Sequence, residues 1–260
     1  MSEPMPVRPP RHRGIYLLPN LFTTGAMFAG FYAIIASIGG RYTEAAVAVF
    51  IAALLDGMDG RVARMTGTQT EFGVQYDSLS DLVSFGLAPA LVMYTWSLST
   101  LRDFGPLWGK LGWAAAFIYA ACAALRLARF NTQVGVADKR YFQGLASPAA
   151  AAVCMSFVWS VDKFGLAGSD FCFVTAVLAV LVGLLMVSRF RYFSFKSLPM
   201  GDRQRVPFVW MVVAVLLLAL LILDTPRVLF VGFTLYLLSG PVWTIWGLAT
   251  HRRRARRSTA

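Results

Sequence analysis

Asp56-Gly57-Met58-Asp59-Gly60-Arg61-Val62-Ala63-Arg64, followed by Gly73 and then by Asp77-Ser78-Leu79-Ser80-Asp81, gathers four carboxylates in one short stretch of a 260-residue chain that has only 13 acidic residues. Each pair falls where a long apolar segment meets a short polar loop. On helices, Asp56 and Asp59 (i, i+3) share a face, as do Asp77 and Asp81 (i, i+4). One aspartate at a helix end is ordinarily a cap or a solvated charge. Two pairs on neighbouring helix ends instead repel one another unless cations lie between them, and hard divalent ions take oxygen ligands of this kind. The spacing predicts a site for two divalent cations, Mg²⁺ or Mn²⁺, with Asp56, Asp59 and Asp77 as the preferred ligands and Asp81 as a fourth metal residue.

The apolar segments on either side set the class of fold. With 57% hydrophobic residues, 14% charged residues and a mean hydropathy of +0.61, the chain lies far from a water-soluble globular composition. About 20 apolar residues cross a bilayer, and segments of roughly that length run over 15–39, 43–59, 77–100, 107–129, 145–163, 170–189, 206–224 and 227–249. The expectation is an all-α polytopic membrane protein with about eight transmembrane helices. It comprises a basic N-terminal segment (1–14), one transmembrane domain (15–249) and a basic tail (250–260). The first apolar segment is too long for a signal peptide and is not followed by a small-residue cleavage site, so it is read as a retained span. Cys122, Cys154 and Cys172 lie in apolar runs without ligand spacing and read as small buried hydrophobes.

Alternate loops divide the basic residues unequally. Arg8, Arg11, Arg13, Arg61, Arg64, Arg126, Arg129, Lys139, Arg140, Arg189, Arg191, Lys196, Arg203, Arg205 and the tail arginines from Arg252 to Arg257 fall on one side; Arg41, Arg102, Lys110, Lys163 and Arg227 fall on the other. By the positive-inside rule the richer side is cytoplasmic, and it holds both termini and both aspartate pairs. The net charge of +11 is concentrated in these juxtamembrane loops and the tail, where basic clusters meet anionic lipid headgroups; no nucleic-acid partner is expected. Most tryptophans fall near span ends as an interfacial belt, and His12 and His251 lie in flanking tails.

Written as D-x2-D-G-x2-A-R-x8-G-x3-D-x3-D, the motif is filled by Asp56, Asp59, Gly60, Ala63, Arg64, Gly73, Asp77 and Asp81. It resembles the signature of the CDP-alcohol phosphotransferases, integral membrane enzymes that move a phosphoalkyl group from a CDP-linked donor to an alcohol and release CMP. The resemblance implies that Asp81 is the catalytic base and that Gly60, Arg64 and Thr70 contact the CDP part. It also implies a homodimer in a prokaryotic cytoplasmic membrane. Gly60 and Gly73 lack side chains, so a cytidine or a diphosphate can approach the helix backbone closely, and the Arg64 guanidinium offers a fork of donors to a phosphate.

Further stretches resemble the phosphatidylserine synthases of the bacterial and archaeal membrane-bound type: Leu18-Pro19-Asn20-Leu21-Phe22-Thr23, Arg126-Leu127-Ala128-Arg129-Phe130-Asn131, Phe142-Gln143-Gly144-Leu145-Ala146-Ser147-Pro148-Ala149-Ala150, Leu185-Met186-Val187-Ser188 and Arg191-Tyr192-Phe193-Ser194-Phe195-Lys196. Ala26 and Ala146 depart from that pattern, which often has asparagine and proline there. This likeness implies CDP-diacylglycerol as donor and L-serine as acceptor. Free serine is a zwitterion whose carboxylate needs cationic partners, and Arg126, Arg129, Asn131, Ser188, Arg191 and Lys196 are candidates to bind it; each cation among them also reads as a positive-inside anchor. A sister enzyme using glycerol 3-phosphate, inositol phosphate or choline is the alternative. An ion-coupled transporter also uses intramembrane carboxylates, but it has no need of the glycine and arginine spacing, and the chain has no pair of broken helices in matching halves.

Overall fold

The computed structural model describes residues 17–67, 70–133, 141–193 and 208–258. Helices make up nearly all of it: α1 (Leu17–Ile38), α2 (Tyr42–Thr66), α3 (Glu71–Asp81), α4 (Ala88–Trp96), α5 (Pro106–Gln133), α6 (Ser147–Lys163), α7 (Cys172–Val187) and α8 (Phe208–Ser258). Strands β1 (Tyr141–Gln143) and β2 (Arg191–Phe193) pair antiparallel in a small ribbon, with Phe142 opposite Tyr192. The sequence reading of an all-α chain did not include this ribbon. It forms because two loop segments leave the same end of the bundle and satisfy each other's backbone groups.

Five stretches among the described residues are long and apolar enough to cross a membrane: Leu18–Ile38, Glu71–Phe104, Pro106–Thr132, Gly168–Val187 and Ala219–Thr244. The eight expected segments are therefore not all of that kind. α2 carries Glu44, Asp56, Asp59, Arg61 and Arg64, which lower its hydropathy, and α6 has only 17 residues. The two expected segments 206–224 and 227–249 form one helix, α8, broken at Asp224 (φ −150°, ψ 75°) just ahead of Pro226. A proline ring removes an amide donor and forces the preceding turn open. Asp224 accepts from Lys163 at 3.2 Å and from Arg227 at 3.1 Å, tying the break to the end of α6.

Small residues set the packing of the first two helices. Ala26, Ala29, Ala33 and Ala36 recur on one face of α1, and Ala45, Ala46, Ala48, Val49 and Ala52 are buried on α2. Without bulky side chains between them, the backbones approach closely, which is how helices associate where lipid supplies no hydrophobic contrast. Gly30 serves another contact of α1: a Cβ there would lie 2.7 Å from Ser84 Cα, in the segment that follows α3.

The segment after α3 departs from α-helical geometry. Residues Leu82–Leu87 form a π-helical turn, in which the Ala88 amide bonds back to the Val83 carbonyl. Pro89 accounts for it, since proline has no N–H for the Phe85 carbonyl four residues earlier, and the wider turn keeps its ring clear of that carbonyl. The buried Tyr119 hydroxyl of α5 donates to the Phe85 carbonyl at 3.1 Å and satisfies the freed acceptor.

Candidate active site

A short reversal between α2 and α3 brings the two aspartate pairs face to face. α2 stops at Gly67, which adopts the left-handed conformation (φ 61°, ψ 30°) and bonds its amide to the Ala63 carbonyl. α3 starts at Thr70, whose Oγ1 accepts from the Gly73 amide at 3.0 Å. A Cβ on Gly73 would lie 3.2 Å from Thr70 Oγ1, so the cap is tightly closed.

Across this reversal, carboxylate oxygens of Asp56, Asp59 and Asp77 lie within 4.8 Å of one another. Asp81 stands beside Asp56 and Asp77. Asp59 is 6% exposed, and its Oδ2 accepts from the Thr23 hydroxyl of α1 at 2.7 Å. Asp77 Oδ1 and Asp81 Oδ1 are buried without a hydrogen-bond partner. An all-oxygen donor set with buried, unpartnered carboxylate oxygens suits a hard divalent cation, which supplies both the missing partner and the missing charge. Histidine and thiolate are absent from this cluster, which disfavours softer metals.

α1 acts as the post against which both aspartate helices are set. Besides the Thr23 contact with α2, Ser80 and Ser84 donate to the Thr23 and Ala26 carbonyls, each at 3.0 Å. Thr23 and Ser80 were not singled out in the sequence, where each is only a small polar residue in or beside an apolar run. Their partners lie 36 and 57 residues away. The usable signal was that a threonine four residues from Pro19 and a serine directly before Asp81 fall on helix faces turned to the bundle.

The remaining expected site residues divide into groups. Gly60 has nothing within 4 Å of an added Cβ, so its backbone lies open to a ligand, and Arg64 is exposed one turn on. Thr70 is engaged as the α3 cap. Arg126 faces Asp81; its Nη1 donates to Ser147 Oγ at 2.8 Å, and its Nε is buried without a partner. Asn131 is turned to α3, donating to Ser78 Oγ at 2.9 Å. Arg129 reaches the Val187 carbonyl at 3.4 Å. Ser188 ends α7, donating to the Leu185 carbonyl at 2.8 Å. The Arg191 backbone belongs to β2, and Lys196 lies outside the described residues. A groove of about 400 Å³ runs between α3 and α5, lined in part by Ser78, Leu82, Leu127 and Asn131.

With this geometry in place the class of protein is defined: residues 16–185 match the sequence model of the CDP-alcohol phosphatidyltransferase family, and the chain belongs to that family. Among curated proteins it is similar to the CDP-diacylglycerol–serine O-phosphatidyltransferase of Helicobacter pylori (strain 26695), 36% identical over 74% of this chain and 76% of the relative. The protein of that name from Mycobacterium leprae is 32% identical over 71% of this chain and 61% of its own length. The archaetidylserine synthase of Methanothermobacter thermautotrophicus is 34% identical over 67% of this chain and 69% of the relative.

Proposed function

We propose that this protein transfers the phosphatidyl group of CDP-diacylglycerol to L-serine, giving phosphatidylserine and CMP. The observation that carries the reading is the carboxylate cluster of Asp56, Asp59 and Asp77, with Asp81 and the Arg126 guanidinium next to it. The similarity to serine-named relatives supports the acceptor.

Asp56, Asp59 and Asp77 would hold two divalent cations, Mg²⁺ or Mn²⁺, with Asp81 able to contribute. Bound there, the cations would neutralise the pyrophosphate and stabilise the departing CMP. Asp81 is the base that takes the proton from the serine hydroxyl. The serine oxygen forms its bond to the phosphorus carrying diacylglycerol, the bond from that phosphorus to the CMP oxygen breaks, and CMP leaves with the electron pair. Gly60 leaves backbone open to the cytidine diphosphate, Arg64 offers its guanidinium to a phosphate, and Gly73 and Thr70 at the α3 cap complete the donor-side set. Arg126 offers its unpartnered Nε–H to the serine carboxylate, a charge-assisted contact that ethanolamine-like acceptors cannot make. Arg129, Asn131, Ser188, Arg191 and Lys196 complete the acceptor-side set.

Lipid must reach the carboxylates from the bilayer. Exposed Leu54 (70%) and Met58 (45%) flank Asp56 on α2, and Leu21 (68%) lies near Thr23 on α1. These apolar side chains suit a lateral entrance for the two acyl chains. The remaining finer features of the reading are eight crossings, the basic segments 1–14 and 250–260 flanking one membrane domain, a homodimer, and a cytoplasm-facing site in the inner membrane of a prokaryote. A CMP-release assay with CDP-diacylglycerol and a panel of L-serine, glycerol 3-phosphate, inositol phosphate and choline tests the proposal. Release that depends on serine is expected; release driven by another member of the panel instead would replace serine as the acceptor.

A further inference from the structure

Contacts on either side of Arg126 fix where it stands on α5. Tyr119 donates to the Phe85 carbonyl at 3.1 Å, and Asn131 donates to Ser78 Oγ at 2.9 Å. These two bonds bracket Asp81 on one helix and Arg126 on the other, Asp81 three residues after Ser78 and Arg126 five before Asn131. Arg126 also follows Ala123 by three residues and Tyr119 by seven, which puts all three on one helix face. A Cβ on Gly86 would lie 3.3 Å from Ala123 Cβ, so that face is turned to the segment after α3. Arg126 therefore leaves α5 at the level of Asp81.

A second helix holds its guanidinium. Arg126 Nη1 donates to Ser147 Oγ at 2.8 Å, while Nε is buried and has no partner among the described residues. Ser147 is fully buried at the start of α6, so water does not readily replace its oxygen. The residues before it fix its place. The Gly144 amide donates to the Phe190 carbonyl at 2.9 Å and the Leu145 amide to the Leu185 carbonyl at 3.1 Å, stitching the chain between β1 and α6 to the end of α7 and the lead into β2. Glycine is required at 144 on two counts: its backbone is left-handed (φ 82°), and a Cβ there would overlap the Met186 carbonyl. Pro148, with its fixed φ, starts α6 directly after Ser147.

A guanidinium carries its N–H donors in one rigid plane, and it meets a carboxylate with two parallel bonds only when that plane is held. Holding Nη1 leaves the opposite edge, Nε–H beside Nη2–H, which is an edge suited to such a pair. We infer that Ser147 is a positioning residue for the acceptor: it fixes the Arg126 guanidinium so that the Nε–H edge is presented to the serine carboxylate. The inference rests on the serine-transfer reading above.

The test is steady-state kinetics of the full chain in vesicles, varying serine and CDP-diacylglycerol separately, with L-serinamide as a competitor that keeps the amine and the hydroxyl and lacks the carboxylate. Ser147→Ala removes the oxygen; Ser147→Cys replaces it by a weak acceptor that still fills the space. The expected result in both is a serine KM raised about 10-fold, the order lost with one hydrogen bond to a charged group. The kcat at saturating serine, the KM for CDP-diacylglycerol and the inhibition constant of serinamide should each change by less than about twofold. An unchanged serine KM in Ser147→Ala overturns the inference. So does a wild-type serine KM in Ser147→Cys, which makes volume rather than the oxygen the requirement. A fall in kcat, or a parallel rise in the donor KM or the serinamide constant, overturns it as well, since each marks a general disturbance of the site. The wild-type protein separates the two levels of the argument. If it ignores serine, the acceptor reading falls; if it uses serine and both variants behave as wild type, only the role of Ser147 falls.

Discussion

Thr23→Val replaces a hydroxyl by a methyl group at constant shape and leaves Asp59 Oδ2 without its donor. The contact is 2.7 Å long, in the range of charge-assisted O–H···O⁻ bonds. The Thr23 hydroxyl has one proton and two acceptors in reach, Asp59 Oδ2 and the Pro19 carbonyl at 3.1 Å, so the shorter, charged partner takes most of it. With Asp59 only 6% exposed, water does not readily replace the lost donor. A hydrogen bond to a charged group contributes about 1.5–3 kcal/mol, which corresponds to a factor of roughly 10–100 in an equilibrium constant. Partners that orient metal ligands have effects of the same size on metal affinity. The expected outcome is a Mg²⁺ concentration for half-maximal CMP release raised by about 10-fold or more, with Thr23→Ser close to wild type because it keeps the hydroxyl. The assay is CMP release titrated with Mg²⁺ at saturating donor and serine. A Thr23→Val protein with the wild-type Mg²⁺ dependence would refute the view that α1 sets the position of Asp59.

Three other predictions concern the site and its support. Asp81→Asn should lower turnover by about 10²-fold or more while donor binding, followed by calorimetry at saturating Mg²⁺, persists; near-normal turnover would exclude Asp81 as the base, and loss of donor binding equal to that of Asp56→Asn would leave it a ligand only. Chelation with excess EDTA should abolish CMP release and added Mg²⁺ or Mn²⁺ should restore it; full turnover in EDTA would remove the two-cation reading. Tyr119→Phe should destabilise the protein by about 1–3 kcal/mol, because the Phe85 carbonyl loses its donor and Pro89 offers none in its place; an unchanged thermal midpoint would mean that the carbonyl has another partner.

The motif and the helical segments were legible because they depend on local features, apolar length and carboxylate spacing. The break of α8 at Asp224 was half legible, since Asp224 and Pro226 separate two apolar runs, but backbone angles decide whether such runs form two helices or one kinked one. The π turn after Asp81 was not read from Pro89, because a proline inside an apolar segment can be absorbed in several ways and the choice here depends on a tyrosine hydroxyl from α5. Thr23 escaped for a similar reason: a lone threonine in an apolar helix bonds back to its own turn unless another helix brings a carboxylate to it. Asn131 was singled out as an acceptor ligand, and the structure engages it with Ser78, a pairing across 53 residues that periodicity cannot reveal.

The alanine seam between α1 and α2 changes what a tolerable substitution is. At Ala29, Ala33 or Ala46 the surrounding medium is as apolar as any side chain that could be added, so what the fold discriminates there is size, and polarity comes second. A hydropathy scale would rank leucine above serine at these positions; the seam reverses that order, because serine fits and leucine forces two helices apart. α2 carries Asp56 and Asp59 in its second half, and α1 holds Asp59 and Ser80 of α3 through Thr23, so a misfit in mid-membrane is transmitted as altered distances among Asp56, Asp59 and Asp77. Such variants would still satisfy the insertion machinery, which weighs apolarity segment by segment, and would accumulate as correctly inserted but silent protein. In this enzyme, abundance in the membrane and competence for chemistry are governed by different physical quantities.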